Sequence, residues 1–127
     1  MWYSRVGIAT VVLCLFPSCV NSKSPETCLL FEANEATSKR IRAEASAIAA
    51  RRKMEFADKS GEHPWRELAI YFELEGKGVD VMGQQRKENR GWICFYGQKE
   101  KEVFQLVVRD FSEFFKRENI AFEVGRP

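Results

Sequence analysis

The chain has 127 residues, with 20 basic and 18 acidic side chains and a formal charge of +2. That length is room for one domain, and 45% hydrophobic with 30% charged residues excludes collagen-like repetition and extended disorder. A balance so near neutrality argues against electrostatic capture of nucleic acid as the main task.

The N-terminus has the pattern of an export signal. Arg5 is its single charge, and Gly7 to Phe16 is an uninterrupted apolar run too short to cross a bilayer. Pro17 breaks the run and small residues follow. Two processing routes are open. Val20-Asn21-Ser22 offers a cleavage site before Lys23. Alternatively, Leu15-Phe16-Pro17-Ser18-Cys19 resembles a bacterial lipoprotein signal, with Cys19 as the lipidated first residue. The expected organisation is a signal over residues 1–22, a polar tether over 23–27, and a single domain over 28–127. The expected compartment is the periplasm or the outer membrane, with membrane contact only through a lipid on Cys19.

Cysteine usage agrees with export. Of Cys14, Cys19, Cys28 and Cys94, either route removes Cys14 and either removes or lipidates Cys19. Cys28 and Cys94 are left as an even pair for an oxidising compartment, as a disulfide or as two buried thiols. No Cys-x-x-Cys or Cys/His spacing supports zinc or thioredoxin-type chemistry, and no cofactor is expected.

In the folded part, Cys28 to Ala33 reads as a short apolar strand. Asn34 caps a helix running to about Ala57, with Ile41, Ala45, Ile48 and Phe56 on one side. Arg52 falls within that stripe, where it would snorkel from the end or pair with an acid of the sheet. Lys39, Arg42 and Lys53 cluster on a neighbouring face. Gly61 ends the run. Arg66 to Glu75 alternates, with Leu68, Ile70, Phe72 and Leu74 on one face and Ala69, Tyr71, Glu73 and Glu75 on the other. Gly76-Lys77-Gly78 is a turn, Val79 to Gln85 a second strand of this meander and Trp92 to Tyr96 a third. Lys101 to Glu118 is the clearest helix, with Phe104, Val107, Val108, Phe111, Phe114 and Phe115 at core spacing. Asn119 ends it, and Ile120, Phe122 and Val124 alternate in a last strand.

The order β-α-β-β-β-α-β predicts an α+β two-layer sandwich: an antiparallel sheet with two helices on one face, a variant related to the ferredoxin-like arrangement. In that layout the first strand lies antiparallel beside the Trp92–Tyr96 strand, which brings Cys28 towards Cys94.

With one face under the helices, Tyr71, Trp92 and Tyr96 fall on the other. Exposed aromatics in one place mark contact surfaces, and Trp and Tyr are frequent energetic anchors. Glu73 and Glu75 beside them favour a partner with basic groups. The blander alternatives are an ordinary half-wet sheet surface, or one covered by loops or the last strand. His63 is the single histidine, and catalysis there would need a nucleophile and an orienting acid. Glu73, Glu75 and Asp80 beside the hairpin turn are a conceivable carboxylate pair. Neither G-x-S-x-G nor H-E-x-x-H occurs. The expected function is a non-enzymatic binding protein of the bacterial envelope that contacts another protein, for example as an inhibitor, an immunity-type protein or an accessory subunit. The alternatives are a small secreted enzyme using His63 and nearby acids, or a structural lipoprotein.

Overall fold

Strand β1 (Thr27–Glu32) leads directly into helix α1 (Glu35–Arg52) in the computed structural model, which describes residues 24–60, 68–86 and 89–127. The segment expected to be a signal, with Cys14 and Cys19, lies outside the described residues, as does His63. Asn34 opens α1 as expected: its side-chain oxygen accepts from the Thr37 backbone N–H at 2.8 Å, with Glu35 at the positive helix end. Ile41, Ala45 and Ile48 are all buried beneath the helix.

The helix ends earlier than its composition predicts. Lys53 turns left-handed (φ 57°, ψ 46°). The N–H groups of Lys53 and Met54 return to the carbonyls of Ala50 and Ala49 at 3.3 and 2.8 Å, closing the helix in a Schellman motif. The expected continuation to Ala57 is therefore corrected: Glu55–Asp58 is strand β2. Phe56 reaches the core from β2, its ring 6.0 Å from that of Phe72.

The meander follows as β3 (Leu68–Gly76), β4 (Val79–Arg86) and β5 (Arg90–Tyr96), then helix α2 (Glu102–Arg117) and strand β6 (Phe122–Gly125). The strands form one sheet in the order β2-β3-β4-β5-β1-β6, with every neighbouring pair antiparallel. Both helices pack on the same face, giving the α+β two-layer sandwich that the patterning predicts. It adds strand β2 at the sheet edge to the element order that the sequence predicts. The last strand does not cover the sheet but extends it beside β1.

Phe-rich α2 fills the space between the layers. Phe104, Val107, Phe111, Phe114 and Phe115 are buried, and each such side chain contributes about 1.5–3 kcal/mol. Phe111 stacks on Phe72 of β3 at 6.4 Å and meets Phe95 of β5 edge-on at 5.7 Å. Phe115 meets Phe31 of β1 at 5.0 Å. Two glycines make room for these rings. Gly83 lies opposite Phe72, and a Cβ there would stand 2.3 Å from the Phe72 ring. Gly91 lies opposite Phe31, where the same atom would be 2.6 Å from that ring.

Polar contacts tie the sheet to α1 and the two helices to each other. Gln85, buried on β4, donates its amide to the Ala33 carbonyl and accepts from the Ser38 hydroxyl, so burial leaves no side-chain polar atom unpaired there. Arg52 pairs with an acid from α2, where the sequence suggested one from the sheet. Its Nε and Nη2 donate to Asp110 at 2.8 and 2.9 Å, a bidentate geometry that raises the guanidinium pKa further.

Candidate binding surface

Strand alternation sends Ile70, Phe72, Leu74, Val79, Val81, Ile93, Phe95, Leu29 and Phe31 into the core. The residues between them occupy the opposite face, which carries neither helix. Strand registers arrange most of that face in three rows, each crossing the sheet perpendicular to the strands.

The middle row runs Ala57, Glu73, Met82, Cys94, Cys28 and Gly125. Its two cysteines stand directly opposite each other and form a disulfide, with their Cα atoms 4.0 Å apart. The expected disulfide is therefore present, and it joins the first strand to the last strand of the meander. Both cysteines are buried although they point away from the helices.

The second row runs Tyr71, Gln84, Trp92, Leu30 and Glu123. Tyr71, Trp92 and Leu30 are partly buried. Lys59 follows β2; its ammonium pairs with Glu73 at 3.1 Å and lies 5.9 Å from the centre of the Tyr71 ring. Around Trp92 the face deepens into a groove of about 880 Å³, walled by Leu30, Glu32, Arg90, Glu123 and Arg126.

The third row lies at the end of the sheet near the β3–β4 hairpin. It runs Glu55, Glu75, Asp80 and Tyr96. Glu26, whose N–H donates to the Phe95 carbonyl at 2.9 Å, carries it on to the start of β1. All four acids are exposed. Burial pushes the Tyr96 hydroxyl above its ordinary pKa.

Tyr71, Trp92, Tyr96 and Glu73, the side chains singled out in the sequence, thus share the helix-free face, though in three different rows. Of the acids considered as a pair, Glu75 and Asp80 stand opposite each other, while Glu73 belongs to Lys59. Sequence reading missed Leu30, which lay in an apolar run without alternation, and Glu55, which was assigned to a helix. Among the described residues no group of His, Cys, Asp or Glu has the arrangement of a metal site, and no helix is long and apolar enough to cross a membrane. No family model matches the chain, and no curated protein is similar to it.

Proposed function

We propose that the chain is a non-enzymatic binding protein, exported to the bacterial envelope, that holds another protein against the helix-free face of its sheet. The observation behind this reading is the composition of that face: Tyr71, Trp92, Tyr96, Leu30 and Met82 all belong to it, where a sheet with one wet side would usually alternate to polar residues. Aromatic side chains of this kind supply contact area at low entropic cost. The disulfide favours an oxidising compartment, and the sequence pattern of residues 1–22 agrees with export, by cleavage or by lipidation at Cys19. An inhibitor, an immunity-type protein or an accessory subunit would each use such a face.

The test is site-specific photo-crosslinking in the producing cells. A photoreactive residue at Met82 or Leu30 should trap one discrete protein, while one at Ala43 or Ala47 on the exposed side of α1 should not. Tyr96→Ala should then weaken the crosslink from Met82 with the melting temperature unchanged within about 2 °C. Equal trapping from α1, or none from the sheet, would defeat the reading.

A further inference from the structure

The third row is acidic except for Tyr96. Glu55 stands directly opposite Glu75, and Glu75 directly opposite Asp80. Like charges in that relation destabilise a sheet, so the arrangement costs the free domain stability. Among the described residues, none of Glu26, Glu55, Glu75 and Asp80 forms an ion pair. Several cations among the described residues are engaged elsewhere. Arg40, Arg51, Arg52, Arg109 and Arg117 pair with acids on the helices or just beyond them, and Lys59 pairs with Glu73. Lys77 at the hairpin tip and Lys101 before α2 form no ion pair with the row.

The same end of the sheet holds a second feature. A cavity of about 520 Å³ opens between Glu26, Tyr96, Gly78, Gly97, Gln98 and Lys101. Gly78 and Gly97 form part of its wall, and an aromatic residue, Tyr96, and an acidic one, Glu26, both line it. Aromatic and carboxylate together suit a guanidinium or ammonium group, which gains from the ring and the charge at once.

We infer that the hairpin end of the helix-free face docks a basic segment of a partner protein, with one Lys or Arg side chain in the Tyr96–Glu26 cavity and further cations along Glu55, Glu75 and Asp80. Electrostatic complementarity is the argument for this occupant: an uncompensated acidic row borders an aromatic surface, and a basic partner would neutralise it on binding. The inference rests on the binding-face reading above and narrows it to one class of partner.

Two measurements on the oxidised mature chain test it. First, amide chemical shifts are followed while adding short peptides of matched apolar content, one arginine-rich and one glutamate-rich. The arginine peptide should move the signals of Glu26, Gly78, Asp80 and Tyr96, and its affinity should fall at least about tenfold between about 0.05 M and about 0.5 M NaCl. Second, the triple variant Glu55→Gln, Glu75→Gln, Asp80→Asn should bind the arginine peptide at least about tenfold more weakly yet melt at the same or a higher temperature, because it removes repulsion. A purely structural role for these acids would lower the melting temperature instead.

Equal binding of both peptides, or full binding by the triple variant, would overturn the inference. So would calcium ions that saturate the row and exclude the arginine peptide, which would make it a metal site. The two readings fail separately. A partner crosslinked from Met82 but indifferent to the triple variant removes the basic segment and keeps the face. Crosslinking only from α1 removes the face.

Discussion

Cys28 and Cys94 face each other across β1 and β5, on the side of the sheet away from the helices. Their bond spans 66 positions of sequence and fixes the register of the first strand against the end of the meander. Closing a loop of that size restricts the unfolded chain, which in the chain-entropy account corresponds to about 4 kcal/mol. Cys28→Ala with Cys94→Ala should lower stability by about 2–4 kcal/mol, read as a shift in the urea midpoint. Reductant should shift the wild-type midpoint the same way and leave the double variant untouched.

The bidentate pair between Arg52 and Asp110 joins the two helices where Asp110 retains only 9% side-chain exposure. Asp110→Asn leaves the guanidinium short of one charged acceptor and should cost about 1–3 kcal/mol. A double-mutant cycle with Arg52→Met should return a coupling energy of at least about 1 kcal/mol. Additive losses would mean that the two side chains act separately.

Gly83→Ala should be among the most damaging small changes in the sheet. The added methyl group meets the Phe72 ring, which is itself stacked on Phe111, and the expected cost is about 2 kcal/mol or more. Phe72→Leu in the same chain should recover part of that loss, since it removes the ring the methyl strikes. Thermal unfolding of the two variants and their combination gives the answer.

The α1 terminus shows what sequence could and could not reveal. Inward alternation on β3 to β5 and the Phe spacing of α2 placed the core, because each pattern persists long enough to separate period 2 from period 3.6. The stop at Lys53 carries no Gly or Pro, and Met54, Glu55 and Phe56 are as acceptable to a helix as to a strand. Phe56 continues the helical stripe and equally suits the inner side of β2. Arg52 was the one discordant residue, a charge within an apolar stripe, and it marks the real end of the helix. Losing β2 also hid Glu55, so the acidic row could not be seen as a row. The aromatic side of the surface was legible because Tyr71, Trp92 and Tyr96 lie on well-patterned strands.

That reading of the terminus carries its own test. Lys53 holds a left-handed conformation that glycine adopts without penalty, so Lys53→Gly should stabilise the domain by about 0.5–1 kcal/mol. A loss of stability would mean that the Lys53 side chain contributes contacts that outweigh its backbone strain. Urea unfolding resolves the sign.

Acid should weaken the β2 edge. Burial pushes the Asp58 carboxyl up, but hydrogen bonds from Ser60 and the neighbouring Arg42 guanidinium outweigh it and hold the group below its usual pKa. A carboxylate depressed by folding contributes stability above its unfolded pKa of about 4, and that contribution vanishes as pH falls through the folded value. Asp58→Asn should therefore be less stable than wild type at about pH 7 and converge with it as acid protonates the wild-type carboxylate. Parallel denaturation curves with a constant gap would exclude this role.

The position of β1 also sets an order of events during folding. It is the first strand of the domain, yet its two neighbours, β5 and β6, come from the last 38 residues of the chain. Until Arg90 and the residues beyond it are available, β1 lacks both of its neighbouring strands and Cys28 lacks its partner Cys94. Helix α1 and the β2–β3–β4 part of the sheet can form locally, but closure of the sheet around β1 is a late, long-range event of the kind that folds slowly.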